Sequence, residues 1–180
     1  SPRFGGLVPI QSLRGAITRM GLREFRDLVV EAAMNSRIFR APGYSDALDK
    51  LRMHATATAH AARAVTRFTS FEAEYAFLCG LLHEAGSAAA LVALADVPRG
   101  QTLRPMNDVW PVVEELHEGL GQRLMTLWQM PVEVAMVIGN HHQLEIGGVV
   151  HPLAAIVLVA EHVADGLGFG GPTALVPVGT

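Results

Sequence analysis

The stretch GLLHEAG, Gly80 to Gly86, sets His83 and Glu84 directly behind an apolar run, AEYAFLC. Two ionisable groups beside a core are costly unless something pairs with them. A metal ion is one such partner. Imidazoles and carboxylates projecting inward from several helices are the donors that many divalent metals favour. The chain offers such a set. His54 lies in MHATATAHAARAV, His117 in EELHEGLG, His141 and His142 in GNHHQ, and Asp165 in AEHVADGLG. With His83 and Glu84 they make seven nitrogen- or oxygen-donor side chains on about five helical segments. Adjacent helical residues point about 100° apart. The pairs His83–Glu84 and His141–His142 therefore suit a cluster of two ions better than one. A carboxylate can bridge two ions, and paired ions can activate water for phosphoester hydrolysis.

The remaining histidines fit that demand less well. His60 follows His54 by six positions, about 240° round a helix, and is expected to face solvent or another neighbour. His151 precedes a proline and is expected to cap a helix. His162 stands one turn before Asp165 and stays a weak candidate. Taken singly, a helical histidine is more often a hydrogen-bonded packing residue than a ligand. Only the combination points to metal.

The elements that must position these groups are helices. Apolar residues recur at three- and four-residue spacing over Ile10 to Met20 and Leu22 to Phe39, separated by Gly21. APGYS reads as a loop. Ser45 is expected to cap a helix over Asp46 to Phe68. A second long stretch follows from a cap at Thr69 or Ser70 to Ala95, with Gly80 and Gly86 marking close packing or a break. DVPRGQTLRP is a loop, and Asn107 to Gln129 is helical again. There Pro111 sets an early turn and Gly119 to Gly121 divide the helix in two. Pro131 and Pro152 read as first-turn prolines of two further helices. No segment reads as a strand, so the expected fold is an all-α bundle. Its parts are N-terminal helices over 1–42, a helical core over 43–168 and a Gly/Pro-rich tail over 169–180.

Composition narrows the classes. Of 180 residues, half are hydrophobic and 17% charged, which marks a globular chain. The net charge of −3 and the lack of a basic run argue against nucleic acid or an anionic membrane as partner. No apolar run reads as long enough to span a bilayer. Cys79 is the only cysteine. It excludes an internal disulfide, fits a reducing cytoplasm, and in FLCGLL reads as buried filler.

In this order, the residues resemble the HD superfamily of metal-dependent phosphohydrolases. The closer resemblance is to its HDOD branch, the HD-related output domain of bacterial signalling proteins. Three stretches carry it. SPRFGGLVPIQSLRGAITRMGL is similar to the family's "PI.SL..AI..LG" segment. EYAFLCGLLHEAGSAAAL is similar to the "AF..GLLHDIG...L" helix that names the superfamily. HEGLGQRLMTLWQMPVEVAMVIGNHH is similar to "H...GA.LL..W.LP..I..AI..HH", down to Trp128, Pro131 and the double histidine. The resemblance implies an HD-like helical bundle, here the C-terminal portion of a longer domain. It places Trp128 and Met130 in the core. His83 and Glu84 stand at the superfamily's His-Asp pair, and His54, His117, His141, His142 and Asp165 match, in order, the metal positions of the cyclic-di-GMP phosphodiesterase branch.

Departures bear on the chemistry. Glu84 stands where the superfamily has aspartate, so its carboxylate reaches about 1.5 Å further, one C–C bond. Ser87 stands where the phosphodiesterase branch has lysine, and the GYP signature after the double histidine is absent. The implied role is a non-catalytic signalling module acting through protein partners. Its pocket would hold one or two divalent ions (Fe, Mn or Mg), a nucleotide, or nothing. The alternative is a metal-dependent phosphohydrolase or phosphodiesterase.

Overall fold

The computed structural model describes residues 40–98 and 100–171. The helices expected over Ile10 to Met20 and Leu22 to Phe39 lie outside the described residues, as does the tail beyond Gly171. Among the described residues the architecture is all-α, as expected. Helix α1 spans Ser45–Val65 and runs into a 3-10 turn, Thr66–Phe68. Helices α2 (Ala73–Leu82), α3 (Ala85–Ala95), α4 (Met106–Leu127), α5 (Val132–Ile138) and α6 (Pro152–Gly166) follow. Helix α1 packs on α2 and α6, α3 on α4, and α4 on α5.

The two long helices bury regular rows, while α2 and α3 are buried almost all round at the break between them. Helix α4 buries Val109, Val113, His117, Gly121 and Met125, every fourth residue. Helix α1 buries Leu48, Leu51, Ala55, Ala59 and Ala62 along with His54 and Thr58. Tyr44, Leu48, Leu51, Leu91, Trp110 and Val113 form a core at one end of these helices. Small residues then bring the backbones close. A Cβ on Gly80 would lie 2.8 Å from the Ala59 Cα, so α2 seats directly on α1. A Cβ on Gly86 would run into the His117 carbonyl, so α3 seats directly on α4.

Several local expectations are corrected. Ser45 is the first residue of α1 and not its cap; Tyr44 holds the cap position, and no side chain caps the helix. Glu72 precedes α2, so neither Thr69 nor Ser70 caps it; Thr69 Oγ1 instead accepts the Phe71 N–H at 3.2 Å in a turn. Gly119 to Gly121 do not divide α4, because Gly121 is held against α3 rather than in a turn. Pro131 lies just before α5, while Pro152 is at the first turn of α6 as expected. His151 caps α6, its Nδ1 accepting the Ala154 N–H at 3.4 Å.

A short antiparallel hairpin, β1 (Glu145–Ile146) with β2 (Val149–Val150), also departs from the strand-free reading. Gly147 and Gly148 both have positive φ, 64° and 79°, which the tight hairpin turn requires. Trp128 and Met130 are not core residues: Trp128 is 42% exposed and Met130 half-buried. Helix α4 ends at Leu127 and Gln129 takes φ 55°, which turns the chain outward there. By length and composition Ala73–Ala95 is apolar enough to cross a bilayer, contrary to the sequence reading. It is broken at His83–Glu84 and mostly buried within the bundle.

Candidate metal centre

His83 and Glu84 occupy the break between α2 and α3. Gly80 and Gly86 flank it, each pressed on a neighbouring backbone, so the break is fixed from both sides. His83 closes α2. Its Nδ1–H donates to the Gly80 carbonyl at 2.8 Å, one of the carbonyls that a helix end leaves free. His141 does the same at the end of α5, donating to the Ile138 carbonyl at 2.8 Å. His117, inside α4, donates to the Glu114 carbonyl at 2.6 Å. His54, inside α1, donates to the Phe169 carbonyl at 2.7 Å.

The consequence is uniform. Each of these rings spends its Nδ1–H on a backbone carbonyl, so the neutral ring keeps its lone pair on Nε2. Second partners of this kind fix tautomer and orientation in metal-binding histidines. The rings form a continuous group. Centroids lie 5.1 Å apart for His54–His83, 5.2 Å for His83–His141, 5.1 Å for His117–His141 and 4.2 Å for His141–His142.

The described donors fall into two groups, His117–His141–His142 and His54–His83–Glu84–Glu161, each with its donor atoms within 4.8 Å of one another. His117 Nε2 lies 3.3 Å from His141 Nε2 and 3.1 Å from His142 Nε2. With both Nδ1–H groups committed, the His117 and His141 lone pairs face each other, which is repulsive until a cation lies between them. Two imidazoles about 2.0–2.1 Å from one ion sit roughly 3.0–3.4 Å apart. The second group tells the same story, for His83 Nε2, Glu84 Oε2 and Glu161 Oε2 are buried without a hydrogen-bond partner. Each can accept, so a cation can satisfy all three.

Burial makes a proton a poor substitute for that cation. It pushes His83 down to about 3, assisted by His54, and His141 well below the ordinary histidine value. His142 is lowered less, again chiefly by burial. Glu161 is pushed up to about 7, first by burial and then by Glu84 and Asp165.

The structure thus brings together His54, His83, Glu84, His117, His141 and His142. Asp165 stands apart from both donor groups. Its carboxylate is 54% exposed and lies 3.5 Å from His54 Nδ1, whereas Glu161 lies 4.0 Å from His54 Nε2. Glu161, which the sequence reading missed, takes the inner position. It stands four residues before Asp165, on the same helical face, and that spacing was the available signal. Glu118 was also missed; it accepts the His142 N–H at 3.2 Å. His60 and His162 are exposed, the first against Phe77 and the second bonded to the Leu158 carbonyl. Cys79 is fully buried, and burial pushes its thiol up to about 12, so it is unreactive filler.

Beside the histidines is a cavity of about 90 Å³, lined by residues that include Glu84, Ser87, Trp110, Glu114 and Glu161. No Lys or Arg is among its described lining residues, and Ser87 is buried. No curated protein and no solved structure matches the chain. The family model for the HDOD domain matches residues 1–144. The match ends at Leu144, so α6, with Glu161 and Asp165, lies beyond it.

Proposed function

The chain belongs to the HDOD domain family, and from that membership we propose that it is a bacterial signalling output module whose HD-type pocket holds divalent metal without hydrolysing substrate. The observation that carries the metal reading is the facing pair of His117 and His141 Nε2 lone pairs, each locked by an Nδ1–H bond to a carbonyl. His117, His141 and His142 would hold one ion, and His54, His83, Glu84 and Glu161 a second. Such an ion supplies positive charge and a cross-link between helices. The imidazole-rich donor set favours Fe over Mg, while the two glutamates also suit Mn.

Three features support a non-hydrolytic role. Glu84 replaces the expected aspartate, and misplacing a reactive centre by about 1 Å costs about 10²-fold in rate. Ser87 offers no cation to a phosphate. The described lining of the cavity holds no Lys or Arg to meet a phosphate. Protein partners in a reducing cytoplasm then receive the output. The competing reading, a metal-dependent phosphodiesterase, draws on the same donor groups.

Elemental analysis of protein loaded with Mn²⁺ or Fe²⁺, followed by turnover assays on cyclic-di-GMP and a generic phosphodiester, separates the two. Bound metal without turnover is the expected result. Metal-dependent turnover abolished in His83→Ala would establish the phosphodiesterase instead, and failure to retain either metal would sink both.

A further inference from the structure

His83, His117 and His141 each donate Nδ1–H to the carbonyl three residues earlier. They are oriented by their own helices. His54 is the exception, because its acceptor, the Phe169 carbonyl, lies 115 positions along the chain.

That carbonyl is delivered by the way α6 ends. Gly168 has φ 86°. Its N–H donates to the Asp165 carbonyl at 2.9 Å, and the Phe169 N–H donates to the Ala164 carbonyl at 2.9 Å. This pair of bonds is the Schellman closure of a helix, which requires a left-handed residue at the Gly168 position. Without it the chain would leave α6 in another direction, and Phe169 would not face α1. Asp165 Oδ1 is the alternative acceptor, but it is 3.5 Å from the same ring nitrogen and 54% exposed. The next residues stay near, since Gly171 lines the cavity. None of this lies in the segment that the family model matches.

We propose that the turn Leu167–Phe169 is a positioning element of the pocket: the Phe169 carbonyl holds His54 with Nε2 toward Glu161, so that His54 is ready to ligate only while the turn is docked. The inference rests on the metal reading for its binding arm alone. Linkage makes the coupling reciprocal, so an ion on His54 Nε2 holds the turn in place by the same factor that the turn raises its affinity. The pocket thereby reaches a surface segment at the end of the domain.

The test compares wild type with Gly168→Val, Gly168→Asn and Gly166→Ala. Valine does not tolerate the left-handed conformation, whereas asparagine does. A methyl at Gly166 meets nothing within 4 Å and leaves the turn alone. The first measurement is the His54 Nδ1–H signal in ¹H–¹⁵N spectra of metal-free protein. It is expected in slow exchange in wild type, Gly168→Asn and Gly166→Ala, and in fast exchange in Gly168→Val. The second is Mn²⁺ affinity, expected to fall about 10-fold in Gly168→Val only, the lower end for loss of an outer partner. An unchanged ring-proton signal in Gly168→Val overturns the proposal, as does a lost signal with Mn²⁺ affinity intact. If Gly168→Val does not fold, the Phe169 amide decides: Mn²⁺ must slow its hydrogen exchange in wild type, and no slowing overturns the coupling. A wild type that takes up no Mn²⁺ sinks the metal reading, while the ring-proton signal still decides the turn.

Discussion

His117 and His54 are both buried residues inside long helices, yet they are held in different ways. His117 finds its acceptor one turn back on α4, and Gly86 presses α3 onto the same stretch of backbone. His54 depends on a turn at the far end of the described chain. The first arrangement forms as soon as its helix does; the second waits for α6 to dock on α1. One end of the pocket is therefore built from local geometry and the other from tertiary assembly. Substitutions at the two ends should differ in what they destroy.

The largest effect is expected at the locally built end. Gly86→Ala drives a methyl into the His117 carbonyl, and two backbones must separate. A loss of about 3 kcal/mol, the upper range for overpacking, should appear in chemical denaturation, together with loss of metal. Equal stability of this variant and wild type would mean that α3 and α4 are not in contact as described.

Next come the proposed ligands. His83→Ala and His141→Ala should each weaken Mn²⁺ by at least about 100-fold, more than the roughly 10–100-fold cost of an outer partner. Asp165→Ala should cost far less, because its carboxylate is exposed and outside both donor groups. Isothermal titration ranks the three, and a larger loss for Asp165 would restore the ligand order that the family resemblance implies.

Acid tests the buried rings in metal-free protein. His83 has its value lowered to about 3 from 6.5, and His141 is lowered in the same direction. The unfolded chain takes up protons below about pH 6.5 that the folded rings refuse, so stability falls as pH drops through 6.5. Glu161 opposes this. Its value is raised from 4.5 to about 7, so the folded state holds a proton that the unfolded chain releases, and its contribution is lost as pH rises from 4.5 toward 7. Two histidines outweigh one carboxyl. Urea midpoints should decline from pH 6.5 to 4.5, and the decline should steepen in Glu161→Gln. A flat profile would mean that the rings are hydrated.

The smallest effect is expected at Trp128. At 42% exposure, Trp128→Ala should cost well under the about 3–5 kcal/mol of a buried tryptophan. A thermal melt shifted as far as that of a core variant would return this residue to the interior.

The same division explains what could be read from the sequence. Helix periods, the first-turn Pro152 and the cap at His151 are local, and all were legible. So were the histidines, because GLLHEAG and GNHHQ stand out against apolar neighbours. The break at His83–Glu84 was half legible: its flanking glycines were visible, but not that each touches another helix. Glu161 was hidden because Asp165, one turn away, matched the family pattern better. The hairpin's signal was Gly147–Gly148 between β-formers, too short to register as strands. Trp128 went wrong because a family pattern gives residue type at a position, whereas exposure depends on where α4 ends.

The end of α6 also bears on where this domain should be considered to stop. The family match closes at Leu144, but Leu153, Ala154, Val157, Ala160 and Ala164 beyond it are fully buried. Helix α1 packs on α6 as one of its main neighbours. A boundary drawn at Leu144 would strip the face of α1 that carries His54 and remove Glu161 and the Phe169 carbonyl at once. A fragment that keeps His54 oriented and Glu161 in place therefore has to include α6 and the turn that closes it.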